Sequence, residues 1–94
     1  MIVPILMGLM LEDSRIEAVL LEFLRTELLD AETTLLPDTR LEEIGIDSFA
    51  LLEILVHAER SFGIAIPAAS LGRDSLRSVR EIAIMVSKFS QLKP

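Results

Sequence analysis

Ninety-four residues leave room for one small domain, and a chain of this size buries only one modest core. Hydrophobic residues make up 51% of it, and four Phe are its only aromatics, so an aliphatic helical core is expected rather than an aromatic-rich sandwich. The net charge of −6 excludes a nucleic-acid binder, which needs clustered Lys and Arg, and the absence of Cys excludes disulfides and thiolate sites. One His and no Cys cannot supply the usual zinc ligand set, and no EF-hand spacing occurs, so no metal site is expected.

Met1 to Leu11 is uncharged and apolar. As a helix it would rise roughly 16 Å, about half of a bilayer core, so no transmembrane span is expected. No Lys or Arg precedes the apolar run, unlike a secretory signal, and Pro4 and Gly8 weaken any helix there. Residues 1–12 are read as a poorly ordered extension or an over-long gene start, with Met7 and Met10 as later starts. An apolar contact with a partner or membrane surface is the alternative.

A first helix is predicted from Ser14 to Leu29. Ser14-Arg15-Ile16-Glu17 reads as a capping box, and Ile16, Val19, Leu20, Phe23, Leu24 and Leu28 recur at helical spacing. The long connection from Asp30 to Asp47 carries Leu35, Leu36, Leu41, Ile44 and Ile46, so it is expected to lie across the core. A short turn is predicted near Leu41–Ile44, terminated by Gly45.

Asp47 is a favoured N-cap residue for a second helix from Ser48 to Phe62, stopped by Gly63. Leu51, Leu55, Ala58 and Phe62 form its predicted core stripe, widened by Leu52, Ile54 and Val56. Pro67 suits the first position of a short third helix ending near Leu71. Ser78-Val79-Arg80-Glu81 is a second capping box, and Val79, Ile82, Met85, Val86 and Phe89 share one face of the last helix. The expected fold is all-α: a four-helix bundle with a long first loop and a short third helix.

Chemically, the distinctive stretch is Leu41 to Phe49. It offers a serine in the first turn of a helix, directly after a loop ending in Gly and Asp. Unsatisfied N–H groups and partial positive charge at a helix start suit a phosphate ester on that hydroxyl. An ordinary helix-start hydroxyl is the plainer reading of Ser48, but Asp47 already supplies the cap. Phe49 reads equally as a hydrophobic anchor or a partner contact. A catalytic serine would need a base, and the single imidazole, His57, lies nine residues on. That places it about 13 Å away and on roughly the opposite helix face.

Gly45-x-Asp47-Ser48-Phe49 resembles the G-x-D-S-L motif of acyl carrier proteins, with Phe where Leu is usual. The resemblance extends over residues 13–90, including the long loop, the Phe62-Gly63-Ile64-x-Ile66-Pro67 run and the valine opening the last helix. Residues 91–94 are then a tail. The resemblance implies a non-catalytic, monomeric, cytoplasmic carrier with 4'-phosphopantetheine covalently attached at Ser48 and Asp47 beside it. A phosphopantetheinyl transferase would install the group, and acyl-loading and acyl-transfer enzymes would use it in fatty-acid, polyketide or related specialised biosynthesis. It further implies docking through Asp47, Phe49, Glu53 and Glu59, and a sheltered acyl chain lined by Leu51, Leu55, Val56, Ile64, Ile66 and Leu71.

Departures from the family pattern narrow this. Ala50, His57 and Arg60 dilute the acids of the second helix, and Arg73, Arg77 and Arg80 make the C-terminal part basic, which points to a dedicated pathway. The D-S-F spelling and Gly72-Arg73-Asp74 are similar to D-alanyl carrier proteins, so an aminoacyl carrier is one alternative. An acidic helical interaction module without a prosthetic group is the other. The Gly-Gly-x-Ser-Leu pattern of peptidyl carriers fits less well.

Overall fold

The computed structural model describes residues 12–92. The apolar run over residues 1–11 and residues 93–94 lie outside that range, so the expectations placed on them concern residues outside the description. Three helices order the described chain: α1 (Glu12–Phe23), α2 (Ser48–Phe62) and α3 (Val79–Leu92). Strands are absent among the described residues.

α1 is already helical at Glu12, so Ser14 lies inside the helix and not at its cap. Its α-helical part is also shorter than predicted: Leu24–Leu28 forms a π-helical turn, closed by the Leu29 N–H donating to the Leu24 carbonyl at 2.9 Å. The wider turn lets Arg25 donate to the Leu35 carbonyl at 3.0 Å while Leu24 stays buried.

The predicted short third helix is not formed. Pro67–Leu71 makes a 3-10 turn at Ala68–Ser70, followed by another at Asp74–Leu76. The bonds here span three residues, Ser70 N–H to the Pro67 carbonyl and Leu71 N–H to the Ala68 carbonyl, at 2.9 and 3.0 Å. Leu71, at φ −88° and ψ 65°, leaves the helical region, and the Gly72 N–H turns back to the Ser70 carbonyl at 3.0 Å, so no four-residue ladder is established. Among the described residues the architecture is therefore three helices with 3-10 turns, and the expected fourth, short helix is replaced by such turns.

α1 packs chiefly on α3 and also touches α2. Ile16, Leu20 and Leu24 from α1 meet Ile54, Leu55 and Ala58 from α2 and Val79, Ile82, Ala83, Met85 and Val86 from α3 in one buried core. The helical spacing of these residues is what makes each inner face continuous. Ser78 caps α3 as predicted, its Oγ accepting from the Glu81 N–H at 3.3 Å.

The connection over residues 30–47 does cross the core, where Leu35, Leu41 and Ile46 are buried. It is fastened to the start of α3 by two backbone bonds. Leu41 N–H donates to the Arg77 carbonyl and Arg80 N–H to the Pro37 carbonyl, each at 2.9 Å. The Arg80 guanidinium adds ion pairs to Asp38 and, at 3.7 Å, to Glu17. Such exposed pairs contribute only about 0–1 kcal/mol, so the buried aliphatics carry most of the anchoring.

Leu41, 1% exposed, and Leu36, 60% exposed, separate anchoring from mere apolarity within this one loop. Leu41→Ala is expected to lower unfolding free energy by about 2–5 kcal/mol, and Leu36→Ala by about 0.5 kcal/mol or less. Urea unfolding followed by helical circular dichroism checks both.

Candidate functional site

The site is built by a change of direction between Ile44 and Ser48. Leu41–Ile44 forms a 3-10 turn that ends at Gly45 in the left-handed region, φ 87°. A Cβ at Gly45 would meet nothing within 4 Å, so its constraint is backbone conformation alone. Ile46 then turns inward, 6% exposed, and its N–H donates to the Leu41 carbonyl at 3.1 Å. Asp47, Ser48 and Phe49 follow on the outside.

Asp47 is extended, at φ −90° and ψ −176°, and its Oδ1 accepts from the Ala50 N–H at 2.9 Å. Its carbonyl accepts from the Leu51 N–H, also at 2.9 Å, as the first full turn of α2. The Ser48 and Phe49 N–H groups precede both bonds and have no intrahelical acceptor. Ser48 thus presents an exposed hydroxyl beside two outward donors at the positive end of a fifteen-residue helix. That environment fits a phosphodiester, whose oxygens accept hydrogen bonds and carry negative charge.

The expected docking residues divide. Asp47, Phe49 and Glu53 are exposed, Phe49 by 70%. Glu59 is half-buried, and its Oε2 accepts from the Ile66 N–H at 2.7 Å, tying the chain beyond the turn back to α2. Gly63, at φ 64°, reverses the chain and brings Ile66 alongside Glu59.

The expected chain-lining residues divide as well. Leu55 and Ile64 are buried, and Leu51, Ile66 and Leu71 pack partly buried against the same core. Val56 is not among them. It is 42% exposed and lies with Phe49, Leu52 and Arg60 along an outer groove. His57 faces the same groove, half-buried, with its ring stacked on Phe23 at a centroid distance of 4.1 Å and an angle of 14°. Sequence reasoning assigned Leu52 and Val56 to the core flank and missed Phe23 as their neighbour. The available signal was the spacing of Ser48, Leu52 and Val56 at i, i+4 and i+8, which puts them on one strip of helix.

A small helical scaffold that presents an exposed serine at a helix start, with its only imidazole held elsewhere, suits a domain that offers a hydroxyl to another enzyme. Over residues 14–86 the chain matches the family described as the phosphopantetheine attachment site, and it belongs to that family. It is therefore a phosphopantetheine-carrying protein, with 4'-phosphopantetheine as its covalent prosthetic group. Carrier domains of this kind are modified by phosphopantetheinyl transferases, interact with biosynthetic enzymes and are generally non-catalytic. Comparison with curated proteins gives no match. No helix among the described residues is long and apolar enough to cross a membrane.

The Asp47 cap is the site's most exposed structural dependence. Asp47→Ala is expected to lower stability by about 1 kcal/mol, whereas Asp47→Asn, which keeps a capping oxygen, should stay within a few tenths. Denaturant titration of the two variants measures the difference.

Proposed function

We propose that this chain is an acyl carrier protein whose arm is attached to Ser48, within a carrier domain spanning residues 13–90. The observation that carries the proposal is the position of Ser48: an exposed hydroxyl at the first residue of α2, just beyond the Gly45 turn and the Asp47 cap. The arm's thiol holds acyl groups as thioesters for partner enzymes.

The chain's own part is presentation. Asp47 fixes where α2 begins, so the Ser48 hydroxyl stays outside while Ile46 is held in the core. The Ser48 and Phe49 N–H groups supply donors and the helix end supplies partial positive charge for the phosphodiester. Asp47 and Glu53, exposed near Ser48, are the acids left to meet Lys or Arg on the transferase, because Glu59 is committed to Ile66. His57 is no base for Ser48: nine residues of helix separate them by about 13 Å. The domain acts as a substrate of other enzymes, as a monomer in the cytoplasm.

Intact mass after incubation with coenzyme A and a promiscuous phosphopantetheinyl transferase tests the attachment. The parent chain should gain one phosphopantetheine. Ser48→Ala should gain none while staying within about 0.5 kcal/mol of the parent's stability, since the side chain is exposed. A Ser48→Ala chain that still acquires the arm contradicts the proposal.

A further inference from the structure

Leu51, Leu55 and Glu59 stand at i, i+4 and i+8 on α2, so they share one strip, which begins a helical turn beyond Ser48. Two apolar residues are thus followed by a carboxylate. Leu55 and Ile64 belong to the buried core, and Leu51, Ile66 and Leu71 pack partly buried against it. The segment that carries Ile66 and Leu71 has no α-helix of its own, only the 3-10 turns Ala68–Ser70 and Asp74–Leu76. Its Ser70, Leu71, Gly72 and Leu76 N–H groups donate to the Pro67, Ala68, Ser70 and Arg73 carbonyls, between 2.9 and 3.3 Å. Such bonds move with the segment and do not hold it to α2.

Two bonds reach α2, and both end on Glu59. The Ile64 N–H donates to its backbone carbonyl at 3.1 Å, and the Ile66 N–H donates to its side-chain Oε2 at 2.7 Å. They differ in what their release disturbs. The first belongs to the cap around Gly63, which is left-handed at φ 64°. The second ends on a half-buried side chain, which can turn to water while every backbone bond of α2 stays made. Exposed Ala65 lies between the two donors and is the natural pivot. At its far end the segment is held again where the Leu41 N–H donates to the Arg77 carbonyl at 2.9 Å.

We infer that the Glu59 carboxylate is the latch of this strap. Its release from the Ile66 N–H lets Ile66 and Leu71 swing outward and admits an apolar acyl chain from the arm along Leu51 and Leu55. Opening then exchanges one hydrogen bond for water, and the chain buries its methylenes in return. The inference rests on the acyl-carrier reading with attachment at Ser48. Glu59 is on this account a positioning residue, which sets how readily the cargo is sheltered.

A latch and a plain structural bond differ in how they couple to the cargo. If sheltering breaks the bond, losing Glu59 harms the bare form and leaves the octanoyl form almost untouched; a bond that persists costs both forms equally. The test uses the full chain with the bare arm or with an octanoyl arm joined through a stable amide, loading being verified first by intact mass. Glu59→Ala should lower the melting temperature of the bare form by about 6 °C or more, and that of the octanoyl form by less than half as much. Glu59→Gln, which keeps an accepting oxygen, should recover most of the parent's behaviour in both forms. In the parent chain, octanoyl loading should speed hydrogen exchange of the Ile66 amide by about tenfold or more, while the Ile64 amide keeps its protection. The exchange measurement decides the matter even where Glu59→Ala does not fold. Equal melting losses in the two forms, or an Ile66 amide equally protected in both, overturn the latch. A chain that takes up no arm overturns the attachment reading itself, and mass reveals this before any melt is run.

Discussion

The point at which α2 begins controls the exposure of Ser48, and the Asp47 carboxylate sets that point by accepting from the Ala50 N–H. Each residue of an α-helix turns about 100°, so moving the helix start by one position would re-aim every side chain after it. The cap works because the chain before it is pinned. Ile46 sits in the core, and Gly45 takes the left-handed conformation that few other residues adopt without strain. Between a buried Ile46 and a buried Ile54, the segment has little freedom to slide, and Ser48 is held outward.

That pinning extends through the whole connection over residues 30–47. A segment this long without regular helix or strand loses much backbone entropy when ordered, on the order of 1–2 kcal/mol per residue. Leu35, Leu41 and Ile46 offset part of this by burial, and the backbone bonds from Leu41 to Arg77 and from Arg80 to Pro37 join the loop to the start of α3. The first turn of α3, itself capped by Ser78, is thus part of the support for the serine although it lies far along the chain. On the other side of α2, the Glu59 carboxylate holds Ile66 and steadies the helix's exit. The exposed Ser48 hydroxyl thus stands at the start of a helix whose two ends are both tied.

What was legible in the sequence was mostly local chemistry. Asp47 before Ser48, Gly63 after Phe62 and Ser78 before Val79 each mark a helix boundary through bonds within a few residues, and the structure places α2 and the start of α3 there. Gly45 closing the Leu41–Ile44 turn is of the same kind. The failures involve distant partners or crowded patterns. The π-helical turn at Leu24–Leu28 accompanies a bond from Arg25 to Leu35, which no local motif announces. Pro67 looks like a helix start, yet the chain beyond it forms only 3-10 turns. Glu59, a docking acid by resemblance, accepts from the Ile66 N–H across the Gly63 reversal, a bond that no local motif announces. Leu52 and Val56 were placed on the core side because α2 is apolar around much of its circumference, and periodicity alone does not say which flank the neighbours cover. Ser48 stands out in the sequence for the opposite reason: a short motif, a cap and a helix start coincide at one residue.

The chain offers a direct way to locate the arm. Trypsin cuts after Arg40 and Arg60, and in the resulting peptide from Leu41 to Arg60 Ser48 is the only side chain with a hydroxyl. Tandem mass spectrometry of the modified chain should find the phosphopantetheine mass on that peptide, with the fragment series changing at Ser48. An arm on any other peptide, such as one containing Ser61, Ser70 or Ser75, would contradict the account.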